Sequence, residues 1–146
     1  MNSMLSNASK YSIKAVLFLA EKSDETNKLS VQIIAETLKI PKPFIAKLLQ
    51  QLSKAQMISS TKGPNGGFYL TDEDKNHSIC DIIEVIDGPN FFHGCFMGLT
   101  TCDDNNPCPV HPIVGAFKEN ILKQFKEKTI NNFSKEINNY NGLLGL

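Results

Sequence analysis

The chain of 146 residues contains no arginine and no tryptophan, so each of its 15 basic residues is a lysine. No apolar run approaches the roughly 20 residues that a membrane-spanning helix needs. The apolar stretch 15–20 is too short for a secretory signal and runs directly into Glu21 and Lys22 without a small-residue cleavage site. We therefore expect a cytoplasmic globular protein with no membrane partner.

Cysteine is also scarce, with four residues in the chain, and three of them fall between Cys95 and Cys108. The reducing cytoplasm disfavours a disulfide framework, so clustered cysteines indicate metal ligands. The fourth, Cys80, lies in an isoleucine-rich stretch and is predicted to be a small core residue. The length suits one domain with an extension better than two domains.

The segment 95–111 reads CFMGLTTCDDNNPCPVH, with the spacing Cys-x6-Cys-x5-Cys-x2-His. Its many turn-forming residues offer little apolar surface to offset the entropy of ordering, so a bound metal centre is expected to fix its shape. Three thiolates and one imidazole suit either zinc or an iron–sulfur cluster. Zinc sites usually include a Cys-x2–4-Cys pair, and its absence favours the cluster. The candidate ligands are Cys95, Cys102, Cys108 and His111.

A net charge of zero conceals an uneven distribution. Residues 30–70 carry five lysines against one glutamate, a balance of +4, whereas residues 71–111 carry eight acidic residues against one lysine, a balance of −7. The first segment is therefore suited to approach an anionic partner, and the second is not.

Apolar residues at helical spacing predict five helices. These cover 11–22, a short segment after the N-cap candidate Ser30, 43–55, 79–86, and one long helix over 113–139. Apolar residues nearly encircle the first helix, which predicts burial on more than one side, with another subunit as a candidate partner. The fourth helix begins with a predicted capping box, Ser78 with Asp81, and ends at Gly88. The tail, with Gly142 and Gly145, is expected to fray.

The second and third of these helices match a helix-turn-helix pattern, since Pro41 and Pro43 separate them and the later helix has an outer face rich in lysine and amides. Strand patterns over 57–62 and 68–71 then flank the turn residues 63–67, which is typical of a wing. The candidate DNA-binding residues are Lys42, Pro43, Lys47, Gln50, Gln51, Lys62, Gly63, Asn65 and Gly66. An ordinary helical hairpin with a solvated face is the alternative.

The predicted fold is mainly α with a small β-hairpin wing: a winged helix-turn-helix followed by a long C-terminal dimerisation helix. We expect a DNA-binding domain over 1–88, a cysteine-rich cluster-binding loop over 89–111, and the dimerisation helix and tail over 112–146. About 25 residues of helix reach about 40 Å, longer than a core of this size can cover. The apolar stripe of that helix therefore predicts a homodimer.

The order of these elements, with the wing string KGPNGGFYL over 62–70 and three spaced cysteines, resembles the Rrf2 family of bacterial winged-helix transcriptional regulators. The resemblance extends over nearly the whole chain. It implies a homodimeric repressor that binds a roughly palindromic operator in double-stranded DNA. It also implies an iron–sulfur cluster that senses nitric oxide, redox or iron–sulfur status. A two-iron, two-sulfur cluster is favoured, and a four-iron, four-sulfur cluster is the alternative.

By this resemblance the cluster cysteines fall on Cys95, Cys102 and Cys108, and the fourth ligand falls on His111. Some relatives take a fourth ligand from the first helix of the partner chain, near the position of Lys10, but lysine is a poor ligand. His93 is an alternative to His111. Relatives commonly place arginine where this wing has Lys62. Lysine keeps the positive charge but lacks the planar guanidinium group that can donate two hydrogen bonds to guanine.

Alternatives from other classes stay open. A winged-helix regulator could carry a Cys3His zinc site or work as a metal-free thiol switch. An enzyme with Cys102 or Cys108 as nucleophile and His111 or His93 as base would need an oxyanion hole and an orienting group, and the sequence indicates neither. We therefore predict that the chain is not an enzyme. A winged helix used only for protein contacts would lack the strong salt dependence of DNA binding.

Overall fold

The structure is a computed structural model, and it describes residues 5–137. The helices are α1 (Asn7–Lys22), α2 (Val31–Leu38), α3 (Lys42–Lys54), α4 (Ile79–Asp87), α5 (His111–Glu127) and α6 (Ile130–Ile137). The antiparallel strands are β1 (Ser59–Thr61) and β2 (Gly67–Tyr69), and a short 3-10 turn covers Asp74–Asn76. The predicted fold class, mainly α with a β-hairpin wing, is confirmed. The predicted fraying of the tail concerns residues outside the described range.

Helix α1 lies at the centre of the core. Residues 15–20 are all buried, because the helix packs against α2, α3, α4, α6 and β2 of its own chain. Burial on several sides is therefore achieved without a second subunit. The helix begins one turn earlier than predicted, because the Ser6 hydroxyl accepts a hydrogen bond from the Ser9 backbone N–H at 3.0 Å.

Helices α2 and α3 form the predicted helix-turn-helix. The Ser30 hydroxyl accepts a hydrogen bond from the Ile33 backbone N–H and caps α2. Lys39 ends this helix in the left-handed conformation (φ 55°), and Ile40 then returns to the core. Pro41 occupies the N-cap of α3, so the proline pair separates the two helices as the sequence predicts.

Helix α4 begins with the predicted capping box. The Ser78 hydroxyl accepts from the Asp81 backbone N–H at 3.1 Å, and the Asp81 carboxylate accepts from the Ser78 backbone N–H at 2.8 Å. At the other end of the helix, the Asp87 carboxylate accepts from the Ser9 hydroxyl at 2.7 Å. This last contact holds the end of α4 against α1 immediately before the cysteine loop.

The prediction of one long helix over 113–139 is wrong. Helix α5 ends at Glu127, and α6 begins as a separate helix at Ile130. The break arises at Thr129, whose hydroxyl accepts from the Asn132 backbone N–H at 3.2 Å while the Asn132 side chain accepts from the Thr129 backbone N–H at 3.0 Å. This reciprocal pair caps a new helix in place of continuing the old one.

Helix α6 folds back onto α1. The Ile130 backbone N–H donates to the His77 carbonyl oxygen at 2.8 Å, and the Ile130 side chain is fully buried. Helix α5 is therefore attached to the core at both ends, through the cysteine loop before it and through α6 after it. Among residues 5–137, no helix has the length and apolar character needed to cross a membrane.

Candidate metal centre and DNA-binding surface

Helix α3 separates an apolar face from a polar one. Its buried side chains are Ile45, Leu48, Leu49 and Leu52. Five of the predicted DNA-binding residues are exposed on the same helix: Lys42, Pro43, Lys47, Gln50 and Gln51. Two apolar residues of the helix-turn-helix are also exposed, Ile33 at 46% and Phe44 at 38%. The Phe44 ring packs edge-on against Tyr11, with ring centroids 5.6 Å apart, which fixes the start of α3 against α1.

The wing is a hairpin with Lys62, Gly63 and Asn65 exposed at its tip. Its β2 strand also pairs with Leu29, since the Phe68 and Leu29 backbones exchange two hydrogen bonds of 2.8 and 2.9 Å. A sequence pattern could not identify Leu29 as a third pairing segment of the wing, because a single bridge residue has no strand periodicity. Leu29 anchors the wing to the chain that leads into the helix-turn-helix.

Two wing glycines are required by close backbone approach. A Cβ on Gly67 would lie 2.6 Å from the Leu29 carbonyl oxygen, and Gly67 itself has φ +155°. A Cβ on Gly66 would lie 2.3 Å from the Thr61 carbonyl oxygen. Any larger residue would displace the backbone of the hairpin. At these two positions the glycines shape the wing itself.

Asp74 supports the base of the wing, and sequence reasoning missed this role. Its carboxylate accepts hydrogen bonds from the Ser59 hydroxyl at 2.7 Å and the Thr71 backbone N–H at 3.0 Å. The Asp74 backbone N–H in turn donates to the Thr71 hydroxyl at 3.1 Å. The side chain therefore connects β1 to the turn that follows β2.

The loop between α4 and α5 brings three cysteine sulfur atoms together. The Sγ atoms of Cys95, Cys102 and Cys108 all lie within 4.8 Å of one another. The Cys95 and Cys108 sulfurs are 3.9 Å apart, and the Cys102 sulfur accepts a hydrogen bond from the Cys108 backbone N–H at 3.3 Å. Residues separated by up to 13 positions thus converge on one point, and together they could hold a metal.

The His111 ring adds a nitrogen beside this cluster. Its Nδ1 lies 3.3 Å from the Cys102 sulfur, and its Nε2 lies 3.1 Å from the Asp104 carboxylate. A carboxylate on the far nitrogen is a frequent companion of a metal-binding histidine, because it fixes the ring and its tautomer. Asp104 was not among the predicted residues, since its proximity to His111 depends on the turn between them.

The pKa values of Cys95 and Cys102 are shifted in opposite directions. The backbone N–H of Leu99, with that of Met97 and the neighbouring thiols, lowers the pKa of Cys95 to about 7 against the opposing effect of partial burial. The backbone N–H of Cys108 lowers the pKa of Cys102, but burial and the adjacent Cys108 and Cys95 groups outweigh it, so the net direction is upward. Close thiols resist losing their protons together.

The remaining candidates are Cys80, His93 and Lys10. Cys80 is 2% exposed within α4, and burial with the nearby Glu84 carboxylate raises its pKa to about 11. Its predicted place in the core is therefore confirmed. His93 is exposed on the cysteine loop, and Lys10 is exposed on α1. The Lys118 ammonium of α5 donates to the Gly94 carbonyl oxygen and connects the loop to that helix.

Helix α5 leaves an apolar face uncovered. It has no buried residue, and Ile113 and Phe117 are 76% and 56% exposed. Isolated exposed apolar residues are common, but these two lie four positions apart on one side of the helix. The loop tip adds Phe96, Met97 and Leu99, all at least half exposed.

The helix-turn-helix, the attached wing and the helical core define a winged-helix DNA-binding protein. The Rrf2 family, described as an iron-dependent transcriptional regulator, matches residues 5–136. A protein of Aquifex aeolicus named as an HTH-type transcriptional regulator is 36% identical over 129 residues, covering 87% of this chain and 88% of that one. A rrf2-like protein of Rhodobacter capsulatus is 34% identical, covering 75% of this chain and 78% of that one.

Solved structures have the same fold. CymR, the global cysteine regulator of B. subtilis, matches with a TM-score of 0.72 at 20% identity, over 93% of this chain and 98% of CymR. IscR of T. potens matches with a TM-score of 0.66 at 23% identity, over 90% of this chain and 86% of IscR. At these identities the likeness concerns the fold alone.

The chain belongs to the Rrf2 family, as the sequence motifs predict. Members of this family are transcriptional regulators that bind DNA and are typically dimeric. They are not enzymes, and the prediction that this chain is not an enzyme is confirmed.

Proposed function

We propose that the protein is a transcriptional repressor whose affinity for a roughly palindromic operator is controlled by an iron–sulfur cluster. The main support for this proposal is that three cysteine sulfurs converge within 4.8 Å of one another, in the loop between the DNA-binding core and α5. The proposed ligands are Cys95, Cys102, Cys108 and His111. When bound, the cluster would supply a centre that reacts with nitric oxide or oxidants, or that is lost when iron is short. The description of the family as iron-dependent supports iron over zinc.

A two-iron, two-sulfur cluster is the favoured form in this proposal, and a four-iron, four-sulfur cluster is the alternative. Cys95, Cys102 and Cys108 would supply thiolates and His111 an imidazole, a donor set that suits iron. The 3.9 Å between the Cys95 and Cys108 sulfurs is a separation that two thiolates on one metal ion can adopt.

The proposed dimer forms through the exposed face of α5 that includes Ile113 and Phe117. Pairing of this face with a second copy would bury apolar side chains that the chain itself leaves in solvent. A dimer reads successive major grooves when its recognition helices are about 34 Å apart. The candidate DNA-contacting groups are the exposed residues of α3 and the wing tip. We retain the division into a DNA-binding domain (1–88), a cluster loop (89–111) and a dimerisation segment (112–146) as part of this proposal.

The fold suggests how the cysteine loop influences the positions of the two recognition helices in the proposed dimer. The loop connects α4 to α5, while the far end of α5 returns to α1 through α6. Helix α5 is thus held at two points, and the proposed ligands lie at only one of them. A change in the order of the loop would tilt α5 about its fixed end and alter the separation of the two recognition helices.

We expect the cluster-bound and cluster-free proteins to differ at least fivefold in operator affinity, within the 5- to 150-fold range usual for coupled sites. Anaerobic protein, before and after cluster removal, would be titrated against fluorescent operator DNA by anisotropy at fixed salt. Equal affinities across several candidate operators would contradict the sensing role.

A metal-free thiol switch is the second candidate, and one distance favours it. The Cys95 and Cys108 sulfurs are 3.9 Å apart, and a disulfide would bring them to about 2.05 Å. Protein that binds no iron but forms this disulfide under mild oxidation, with a change in operator affinity, would support the switch. A Cys3His zinc site would give a colourless protein with zinc and no acid-labile sulfide.

A further inference from the structure

A cavity of about 190 Å³ lies between the cysteine loop and α5. It reaches Cys95, Cys102 and His111 at one end, and Gly115, Lys118 and Leu122 line it along the helix. Cys108, the remaining proposed ligand, does not line it. The opening therefore faces one side of the candidate metal centre, the side that includes the only neutral ligand.

The cavity is longer than the centre requires. The three sulfur atoms lie within 4.8 Å of one another. The lining residues of α5 run from His111 to Leu122, and eleven residues of helix span about 16 Å. The space thus continues along about three turns of α5 beyond His111 and is partly open to solvent.

Gly115 is the one glycine of α5, and it lines this space. It lies inside α5 with ordinary helical geometry, where glycine is less favourable than alanine. A Cβ built at this position would meet no atom within 4 Å, so neither backbone conformation nor packing within the described residues requires glycine. What the missing side chain provides is volume in the wall of the cavity, four residues from His111.

The lining selects by size and charge. A water molecule takes up about 30 Å³ of liquid, so the cavity holds about six molecules of that size. Phe92, Phe96, Val114 and Leu122 supply apolar wall. The Lys118 ammonium is engaged by the Gly94 carbonyl oxygen, and Asp104 and Glu119 add negative charge. These features favour a small uncharged molecule over an anion.

We propose that this cavity is an entry port through which a small uncharged molecule reaches the Cys102 and His111 side of the metal centre, and that Gly115 keeps the port open. The inference rests on the proposed function, because it assumes a centre at the four ligands. The inference adds to the proposed function the route by which the reacting molecule reaches the metal centre and the limit on its size.

The test compares wild-type, Gly115→Leu and Ala116→Leu proteins loaded with cluster without oxygen. Leucine favours helix more than glycine does, so the variant at 115 is expected to keep α5 intact. Ala116 is exposed and does not line the cavity, so Ala116→Leu adds a matched side chain beside the port. The readout is the rate at which dissolved nitric oxide bleaches the visible absorption. Ferricyanide, which can oxidise by electron transfer from outside, serves as the second reagent.

We expect Gly115→Leu to slow bleaching by nitric oxide at least tenfold, with ferricyanide rates within twofold of wild type and Ala116→Leu unchanged. Unchanged nitric oxide rates in Gly115→Leu would overturn the port. So would a shift to monomer in sedimentation, since it would assign Gly115 to the subunit contact. Iron and sulfide are measured first in the wild-type protein. If they are absent, the proposed function fails, and iodoacetamide labelling of the metal-free protein tests the port alone.

In that metal-free arm, Gly115→Leu is expected to slow labelling of Cys102 at least fivefold, because this thiol lines the cavity. Labelling of Cys108, which does not line it, is expected to stay within twofold of wild type. Equal labelling of Cys102 in the two proteins would contradict the port whether or not a metal binds.

Discussion

A Cys102→Ala protein is expected to retain less than a tenth of the iron and sulfide that the wild-type chain binds after anaerobic reconstitution. Cys102 lies within 4.8 Å of both other loop thiols, and its sulfur contacts His111 Nδ1 at 3.3 Å. Removing it leaves the proposed cluster with two thiolates and one imidazole in place of its four ligands. Iron and acid-labile sulfide assays, with the visible absorption spectrum, measure the loss.

Cys80→Ala is the matched control for this loss. Its thiol is 2% exposed in α4, away from the loop, and has a pKa raised to about 11 by burial. The variant is expected to bind iron and sulfide at wild-type levels. Retention of a full cluster in Cys102→Ala, or its loss in Cys80→Ala with the helical fold intact by circular dichroism, would contradict the proposed ligand set.

The second large effect concerns the DNA-binding surface. A double variant, Lys47→Ala with Lys62→Ala, is expected to bind operator DNA about 60-fold more weakly at 0.1 M salt. Each phosphate contact contributes a slope of about −0.9 in log K against log salt, which is about eightfold per contact at that concentration. Both lysines are exposed, one on α3 and one at the wing tip. Anisotropy titrations over a range of salt would show the slope becoming shallower by about 2.

The control for this experiment removes the same charge elsewhere. Lys123→Ala with Lys135→Ala changes two exposed lysines on α5 and α6, so the net charge falls equally. The salt slope of this protein is expected to match that of the wild-type chain. Equal weakening by the two double variants would mean that overall charge determines binding, and the assigned surface would be wrong.

The fold was largely predictable because its local signals agree with one another. The proline pair before α3, the Ser30 cap and the Ser78–Asp81 capping box each lie where the structure begins a helix. The glycine-rich wing string marks a hairpin because Gly66 and Gly67 have no room for a side chain. In each case the signal is a backbone requirement satisfied within a few residues.

The long helix was mispredicted because the spacing of apolar residues does not reveal a break between two helices that pack against the same core. Phe125 in α5 and Phe133 in α6 both pack against the core, so the periodic pattern continues across the break. The deciding feature is the reciprocal cap between Thr129 and Asn132. Such a pair is readable in sequence, but it is weaker than the apolar pattern around it.

The cysteine spacing indicated which residues should meet, and the structure brings three of them together. It could not indicate Asp104 behind His111, the Lys118 contact with Gly94, or the cavity along α5. Each of these depends on how the loop lies over the helix, which no local pattern specifies. The same holds for Asp74 and Leu29, which position the wing through contacts distant in sequence.

The most direct test of the central claim is the iron, zinc and acid-labile sulfide content of the full chain purified without oxygen. The proposed two-iron cluster predicts a coloured protein with about two iron and two sulfide per chain and little zinc. Stoichiometric zinc without sulfide, or a colourless metal-free protein even after reconstitution, would contradict it.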